Sequence, residues 1–295
     1  MYPAVRRVLV TTGVILLLLI LIGATYQGVA TAVERRRFPH PGRMVDAGNH
    51  QLHLYCVGQG APAVVLEAPA TTMSAAWAWV QTDVAKLTRV CSYDRAGLGW
   101  SEAGDAPFAP EAVAPELKVL LATAGEPEPV VIAGAELGAA LATLYAARYP
   151  NETAALVLVN PPASSQDKVS VPSAKFVALS PWLARAGLLR PIRTLSANAG
   201  QLPQPSAGVL RAFLNRPDHL TRAAAELARR DDIVTMSEAA TLPRSLPVTR
   251  IELDGNDRVA LLANRQNAQD VSDAIAGAVK RARSRPVSAT SEPGR

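Results

Sequence analysis

Residues 130–150 read VVIAGAELGAALATLYAARYP, and this stretch decides the fold. It begins with an uninterrupted apolar run, which is typical of a strand buried on both faces. Gly134 and Gly138 then flank Glu136, and an alanine-rich segment with helical spacing continues to Pro150. The stretch therefore predicts a buried strand that is followed directly by a helix.

The alternation of apolar runs and helical segments continues on both sides of this stretch. Apolar runs that are typical of strands cover residues 51–57, 63–68, 89–93, 154–159 and 246–253. Helical spacing covers residues 111–124, 174–189, 206–230 and 264–283. Strands and helices that alternate at these lengths predict an α/β fold, with a mostly parallel sheet and helices on both faces.

The succession of segments divides the chain into five parts. They are an N-terminal membrane segment with basic flanks (1–37), the first part of an α/β core (38–162), a helical cap (163–245), the last strand and helix of the core (246–283) and a frayed polar tail (284–295). The cap is predicted because prolines and helix-like segments interrupt the strand–helix alternation there. Proline and glycine in residues 38–50 predict a linker.

The N-terminal segment predicts a transmembrane helix. Residues 8–33 carry no charge and include VILLLLILI at positions 14–22. About 20 apolar residues cross the ~30 Å hydrocarbon layer. A retained signal anchor fits this length, whereas the small residues Ala30 and Ala32 also fit a cleaved signal peptide. Either interpretation places the body outside the cytoplasm, tethered to the membrane in the first case and secreted in the second.

The formal net charge of +5 does not indicate a nucleic-acid-binding protein. Five arginines against one glutamate lie in residues 1–37, and five basic residues against one glutamate lie in 280–295. The body between these ends therefore carries a net negative charge, which does not suit a phosphate backbone. We expect no nucleic-acid partner.

Histidine and cysteine are scarce, which restricts the chemistry. The chain has two cysteines and four histidines, which are His40, His50, His53 and His219. Two cysteines exclude a disulfide-rich scaffold and a four-cysteine zinc module. We expect no metal site and no cofactor, and any general base of the imidazole type must be one of these four side chains.

The body resembles the α/β-hydrolase superfamily, in particular its membrane-anchored or secreted bacterial branch. The likeness runs from residue 26 to 160, weakens through the cap and resumes near residue 246. It rests on QLHLYCVGQG (51–60), VVLEA (64–68), RVCSYDRAGLGWS (89–101) and residues 130–150, of which 89–101 is the most specific. The resemblance implies a nucleophile, a general base and an oxyanion hole.

The elbow that carries the nucleophile in this family has the form G-x-S-x-G. Here it reads Gly134-Ala135-Glu136-Leu137-Gly138, so a glutamate replaces the serine. A carboxylate cannot act as an alkoxide nucleophile. Dehalogenase- and epoxide-hydrolase-like relatives use a carboxylate nucleophile at the elbow, but they need a histidine to hydrolyse the covalent intermediate. Glu136 is therefore the catalytic candidate, and we expect it to be inactive.

The implied oxyanion and base positions are also changed. Pro69 and Ala70 follow the third strand, and Pro69 has no N–H, so we expect an impaired oxyanion hole. Together with Gly134 and Gly138 they are the binding candidates. No histidine follows His219, which we place on the surface at the start of a cap helix.

Residues 254–259 read DGNDRV, and two alignments with the family are open. In the first, this is the acid loop after the seventh strand, Asp257 is the relic acid, and the strand and loop that carry the histidine are deleted. In the second, this is the histidine loop itself, with Arg258 at the position of the base. Asn160 stands where some relatives carry an acid. The base is missing in both alignments.

Two further features depend on the resemblance. Cys56 and Cys91 fall on the second and fourth strands, which are neighbours in the family, so they are either a disulfide or two reduced thiols. Asp94 and Arg95 are interpreted as residues that fix the loop after the fourth strand, with Ser101 as a cap.

The hypothesis favoured by the sequence is a membrane-tethered hydrolase-like protein that has lost catalysis and binds a partner protein or an apolar ligand or lipid. The alternatives are an active hydrolase, of esterase or epoxide-hydrolase/dehalogenase type, that uses the carboxylate of Glu136, and a structural subunit of a membrane assembly.

Overall fold

The computed structural model describes residues 3–104, 107–163, 174–192, 194–254 and 258–284. Within these residues one sheet contains the strands β1 (Arg43–Asp46), β2 (Gln51–Val57), β3 (Val64–Glu67), β4 (Val90–Tyr93), β5 (Val130–Ala135), β6 (Thr153–Val159) and β7 (Val248–Ile251). The α-helices are α1 (Pro3–Arg37), α2 (Ala78–Val84), α3 (Pro110–Ala124), α4 (Leu137–Arg148), α5 (Ala174–Arg185), α6 (Leu189–Ile192), α7 (Ser206–Phe213), α8 (Pro217–Ala228), α9 (Arg230–Ala239), α10 (Arg258–Ala263) and α11 (Arg265–Arg283).

The strand order is β1-β2-β4-β3-β5-β6-β7. Strands β1, β2 and β4 pair antiparallel, and every pair from β4 through β3, β5 and β6 to β7 is parallel. Apolar side chains of α2 and α11 pack on one face of the sheet, and those of α3 and α4 pack on the other. The predicted α/β fold, with a mostly parallel sheet covered on both faces, is confirmed.

Two local predictions differ from the structure. Residues 43–46, predicted to lie in a linker, form β1 and pair with β2. Of the four residues of β1 only Val45 is buried, so the sequence lacks the apolar pattern of a strand there. The single helix predicted over 206–230 is divided into α7 and α8, because Pro217 has no N–H to continue a helix and instead begins α8.

Helices α5 to α9 all lie between β6 and β7, in the region predicted as a cap. After β7, the described residues contain α10 and α11 and no further strand. This order agrees with the first of the two alignments, in which the histidine-bearing strand is deleted. Asp257 itself lies outside the described residues, so its predicted role stays a prediction.

The N-terminal helix α1 is long and apolar enough to cross a membrane. The span Ala4–Arg37 has a mean hydropathy of 2.7 in its most apolar window, and none of that window is buried against the body. This agrees with a membrane anchor or a signal sequence.

A disulfide joins Cys56 of β2 to Cys91 of β4, which are directly opposite each other in the antiparallel register. The carboxylate of Glu126 lies close to both sulfur atoms. Because the sulfurs are bonded to each other, this group offers a metal ion only one carboxylate.

Candidate active site

The elbow between β5 and α4 keeps a strained backbone. Glu136 has φ 51° and ψ −122°, a conformation that a residue with a Cβ rarely adopts. A Cβ on Gly134 would lie 2.3 Å from the carbonyl oxygen of Gly138, and a Cβ on Gly138 would lie 2.4 Å from that of Ala68. Both positions therefore require glycine, and the sharp turn that the family resemblance implies is present.

The carboxylate of Glu136 is folded back onto the protein. The residue is only 8% exposed, and its Oε2 accepts a hydrogen bond of 3.1 Å from the backbone N–H of Ala70. In this family a backbone N–H of the loop after the third strand belongs to the oxyanion hole. Pro69 does lack a donor, as expected, but Ala70 supplies one. That donor is bonded to the side chain at the nucleophile position.

Arg95 holds the other end of the peptide unit that carries this donor. Its guanidinium donates to the carbonyl oxygen of Pro69 at 3.2 Å and to that of Ala68 at 2.8 Å. In a trans peptide the C=O and the N–H point in opposite directions. Arg95 on one side and Glu136 on the other therefore fix the orientation of the peptide between Pro69 and Ala70.

Arg95 is the centre of a buried ionic network. It donates to Glu67 at the end of β3 at 2.6 Å and to Glu226 of α8 at 2.6 and 3.0 Å. The hydroxyl of Tyr93 also donates to Glu67. Burial alone would lower the pKa of Arg95, but the two carboxylates raise it well above its usual range, so the guanidinium stays charged. The network links the ends of β3 and β4 to α8, a helix of the predicted cap.

Burial raises the pKa of Glu67, although Arg95 and Tyr93 act in the opposite direction. Arg95 was predicted to fix its own loop, and neither Glu67 nor Glu226 was among the predicted site residues. One signal was available, since Glu67 interrupts an otherwise apolar strand in VVLEA. Glu226 carries no local signal, because it lies 131 residues from Arg95.

His219 is not on the surface, so that prediction is wrong. It is 1% exposed and lies in the first turn of α8, with its ring between two loops. Its Nδ1 accepts from the N–H of Gly99 at 3.0 Å, and its Nε2 lies 2.8 Å from the carbonyl oxygen of Thr71. The two contacts require Nε2 to carry the proton. Both nitrogens are used, so His219 anchors the loop that follows Ala70 and has none left to act as a base.

The remaining histidines also bond groups other than Glu136. The ring of His53 is fully buried between Asp94, at 3.1 Å, and the N–H of Gly42, at 3.3 Å. His40 contacts the carbonyl oxygen of Gly42, and His50 contacts the side chain of its neighbour.

Asp94 fixes the loop after β4, as the sequence analysis expected. It accepts from the N–H groups of Ser74 and Trp100. Burial would raise the pKa of Asp94, but His53 and these N–H groups outweigh it and lower the pKa. Ser101 closes the same loop by donating to the carbonyl oxygen of Asp94.

Asn160, where some relatives carry an acid, is used to hold the end of β7. Its amide donates to the carbonyl oxygen of Leu253 at 2.8 Å and accepts from the N–H of the same residue at 2.7 Å. An uncharged side chain with both amide atoms occupied cannot orient a histidine as a triad acid does.

Apolar side chains pack on one side of the elbow. Ala70 follows Pro69 in the loop after β3, and Leu137 follows Glu136 at the elbow. Both pack in one apolar cluster with Phe108 and with Ile233 and Val234 of α9. The chemistry available at the elbow is therefore that of a buried carboxylate on a backbone N–H, beside apolar side chains.

The buried ring of His219 predicts a specific acid sensitivity. Burial lowers its pKa in the folded chain, despite the bond to Thr71. As pH falls below about 6.5 the unfolded chain takes up the proton first, so this contribution to stability is present above about pH 6.5 and is lost below it. His219→Gln is expected to flatten the fall in unfolding free energy on acidification. Denaturant titrations of the full-length chain in mild detergent, between about pH 7.5 and 5, measure this slope.

The control for this measurement is His40→Gln, since His40 is exposed. That variant is expected to keep the wild-type slope. A wild-type slope in His219→Gln would contradict the assignment of His219 as a neutral buried anchor.

The family is now clear from the sequence and the fold together. Residues 58–290 match the alpha/beta hydrolase family, and the chain belongs to that family. No protein of curated function matches the sequence significantly.

Solved structures with the same fold include an enol-lactonase from Burkholderia xenovorans LB400, at 17% identity and a TM-score of 0.59, covering 81% of this chain and 100% of that chain. A thermophilic esterase from Thermogutta terrifontis is similar at 17% identity and a TM-score of 0.56, covering 78% and 94%. The epoxide hydrolase CorEH is similar at 17% identity and a TM-score of 0.58, covering 79% and 96%. At these identities the likeness concerns the fold.

Proposed function

We propose that this chain is a membrane-tethered α/β-hydrolase-fold protein without hydrolase activity, which binds a partner protein or an apolar ligand. The observation that carries the proposal is the hydrogen bond from the N–H of Ala70 to the carboxylate of Glu136. An oxyanion hole accelerates a reaction by stabilising negative charge that develops on the substrate. A carboxylate bonded to that donor occupies the place of the oxyanion and repels its charge.

The second support is the position of the four imidazoles. His53 and His219 bond other groups through both ring nitrogens, and Nδ1 of His40 and Nδ1 of His50 bond Gly42 and Asn49, so none of these contacts directs an imidazole at Glu136. Even a covalent ester on Glu136 would then lack the base that relatives with a carboxylate nucleophile use to release it.

We further propose that α1 is retained as an anchor. Gln27 is buried and donates to the carbonyl oxygen of Asn215 at 2.9 Å. Arg190 donates to Gln27 at 2.7 Å and to Glu34 at 2.8 Å. Cleavage after Ala32 would remove Gln27 and break these contacts. The disulfide agrees with a body on the oxidising side of the membrane.

The alternative function is catalysis by the Glu136 carboxylate. It is favoured by the preserved strain at Glu136, since a functionless turn needs no such conformation. The similarity to an epoxide hydrolase is a likeness of fold and adds no residue to this argument.

Trapping of a covalent adduct tests the two functions against each other. The full-length chain is incubated with a small epoxide or haloalkane, and peptides that contain Glu136 are measured by mass spectrometry. The proposal predicts no ester on Glu136. An adduct on wild type that is absent from Glu136→Gln would instead establish the nucleophile, while Glu152→Gln controls for general alkylation of carboxylates.

Binding is tested separately by purifying the full-length chain from its own membrane in mild detergent. A stoichiometric protein or lipid that remains bound supports the proposed role, and identifies whether the occupant is a partner subunit or a ligand. A chain that carries neither would argue against it.

A further inference from the structure

Most of the large apolar side chains that the body exposes lie in one short segment. Outside α1, the described residues expose five of them, which are Leu87, Val119, Leu179, Trp182 and Leu188. Three of the five lie within residues 179–188, in α5 and the turn that follows it. They are also the most exposed of the set, at 55%, 68% and 53%. Exposed apolar clusters of this kind mark interaction sites.

The opposite face of α5 is packed and fixes the helix in place. Ala184 of α5 and Leu189 of α6 form an apolar cluster with Leu220 of α8. The guanidinium of Arg185 lies 5.1 Å from the centre of the Trp182 ring. These contacts therefore fix the orientation of α5, with Trp182 on its exposed face.

The exposed face lies beside the membrane helix. A Cβ on Gly23 of α1 would lie 2.0 Å from the carbonyl oxygen of Ala186, and a Cβ on Gly187 would lie 2.5 Å from that of Gly23. The two backbones are thus in direct contact at the end of α5. The buried contacts of Arg190 with Gln27 and Glu34 hold the same two segments together.

The depth of this contact follows from helix geometry. About 20 helical residues are needed to cross the hydrocarbon layer. Counted from Val8, the first residue after Arg7, such a span ends at Gln27. Gly23 is four residues before that point, or about 6 Å deeper at 1.5 Å per residue. Amphipathic helices at a membrane surface lie about 5–10 Å into the boundary between headgroups and acyl chains. Tyr26, which is exposed on α1, lies one residue before Gln27 and so near the edge of the hydrocarbon layer, where aromatic residues are enriched.

We propose that Leu179, Trp182 and Leu188 enter the bilayer interface on the side of the body, and form a second membrane contact besides α1. The inference rests on the retained anchor of the proposed function. The lipid bilayer is the occupant because α1 itself places these side chains at its surface. The contact turns the α5–α8 side of the protein toward the membrane and fixes the orientation of the body.

Quenching of tryptophan fluorescence by brominated lipids tests the contact. The full-length chain is reconstituted into phosphatidylcholine vesicles whose acyl chains are brominated near the carbonyl end. The proposal predicts quenching of wild-type emission that Trp182→Phe removes. Trp79→Phe is the matched control, because Trp79 lies on α2, where its ring packs under the guanidinium of Arg265 and its indole N–H donates to the carbonyl oxygen of Gln201. That control is expected to remain quenched.

The outcomes distinguish this inference from the anchor on which it rests. A chain that does not float with the vesicles in a density gradient would overturn the anchor and the second contact together. A chain that floats, and whose Trp182→Phe variant is quenched as strongly as wild type, would overturn the second contact alone.

Discussion

Replacing Arg95 with methionine is expected to lower the free energy of unfolding by about 3–5 kcal/mol. The substitution leaves Glu67 and Glu226 buried without their common partner, and it releases the carbonyl oxygens of Ala68 and Pro69. Methionine fills a similar volume, so the loss reports the uncompensated carboxylates rather than a cavity. Because burial raises the pKa of Glu67, acidification neutralises that carboxyl group, and the deficit is expected to shrink as pH falls.

The measurement is denaturant unfolding of the full-length chain in mild detergent, with Arg229→Met as the matched control. Arg229 pairs with Asp232 in an exposed ion pair, and such pairs contribute about 0–1 kcal/mol. If Arg95→Met loses no more stability than Arg229→Met, the network does not hold the elbow as described.

Removing the disulfide is the second large change. In Cys56→Ala with Cys91→Ala, we expect a loss of about 3–4 kcal/mol, because the bond closes a loop of 35 residues in the unfolded chain. Alanine introduces no buried hydroxyl, so the loss reports the bond itself.

A reductant provides the control within the same experiment. Dithiothreitol is expected to lower the denaturation midpoint of the wild-type chain and to leave that of the double variant unchanged. A wild-type midpoint that does not respond to the reductant would show that the two cysteines do not stabilise the fold as a pair.

Much of the fold could be predicted from the sequence because its signals are local. The apolar run before Gly134, the two glycines and the helix that ends before Pro150 determine the elbow within about 20 consecutive residues. β1 could not be predicted, since only Val45 faces the core and the rest of its stability comes from pairing with β2. Pairing across a sheet leaves no periodic signal in a short polar strand.

The candidate site was predictable in its residues but not in its contacts. The glutamate at the elbow and the shortage of histidine are visible in the sequence, whereas the bond from Ala70 to Glu136 spans 66 residues. The prediction that His219 lies on the surface was wrong because its contacts are also distant in sequence. A histidine beside a helix N-terminus is usually exposed, and only the folded chain brings Gly99 and Thr71 to its ring. Contacts between loops distant in sequence depend on the tertiary structure.

The carboxylate of Glu136 occupies the oxyanion donor of a hydrolase site and does not act there as a nucleophile. The most direct test is steady-state hydrolysis of short-chain p-nitrophenyl esters by the full-length chain in detergent, compared with Glu136→Gln and with buffer alone. We predict that wild type and Glu136→Gln both hydrolyse the esters at the rate of buffer. A saturable rate in wild type that Glu136→Gln abolishes would contradict the claim.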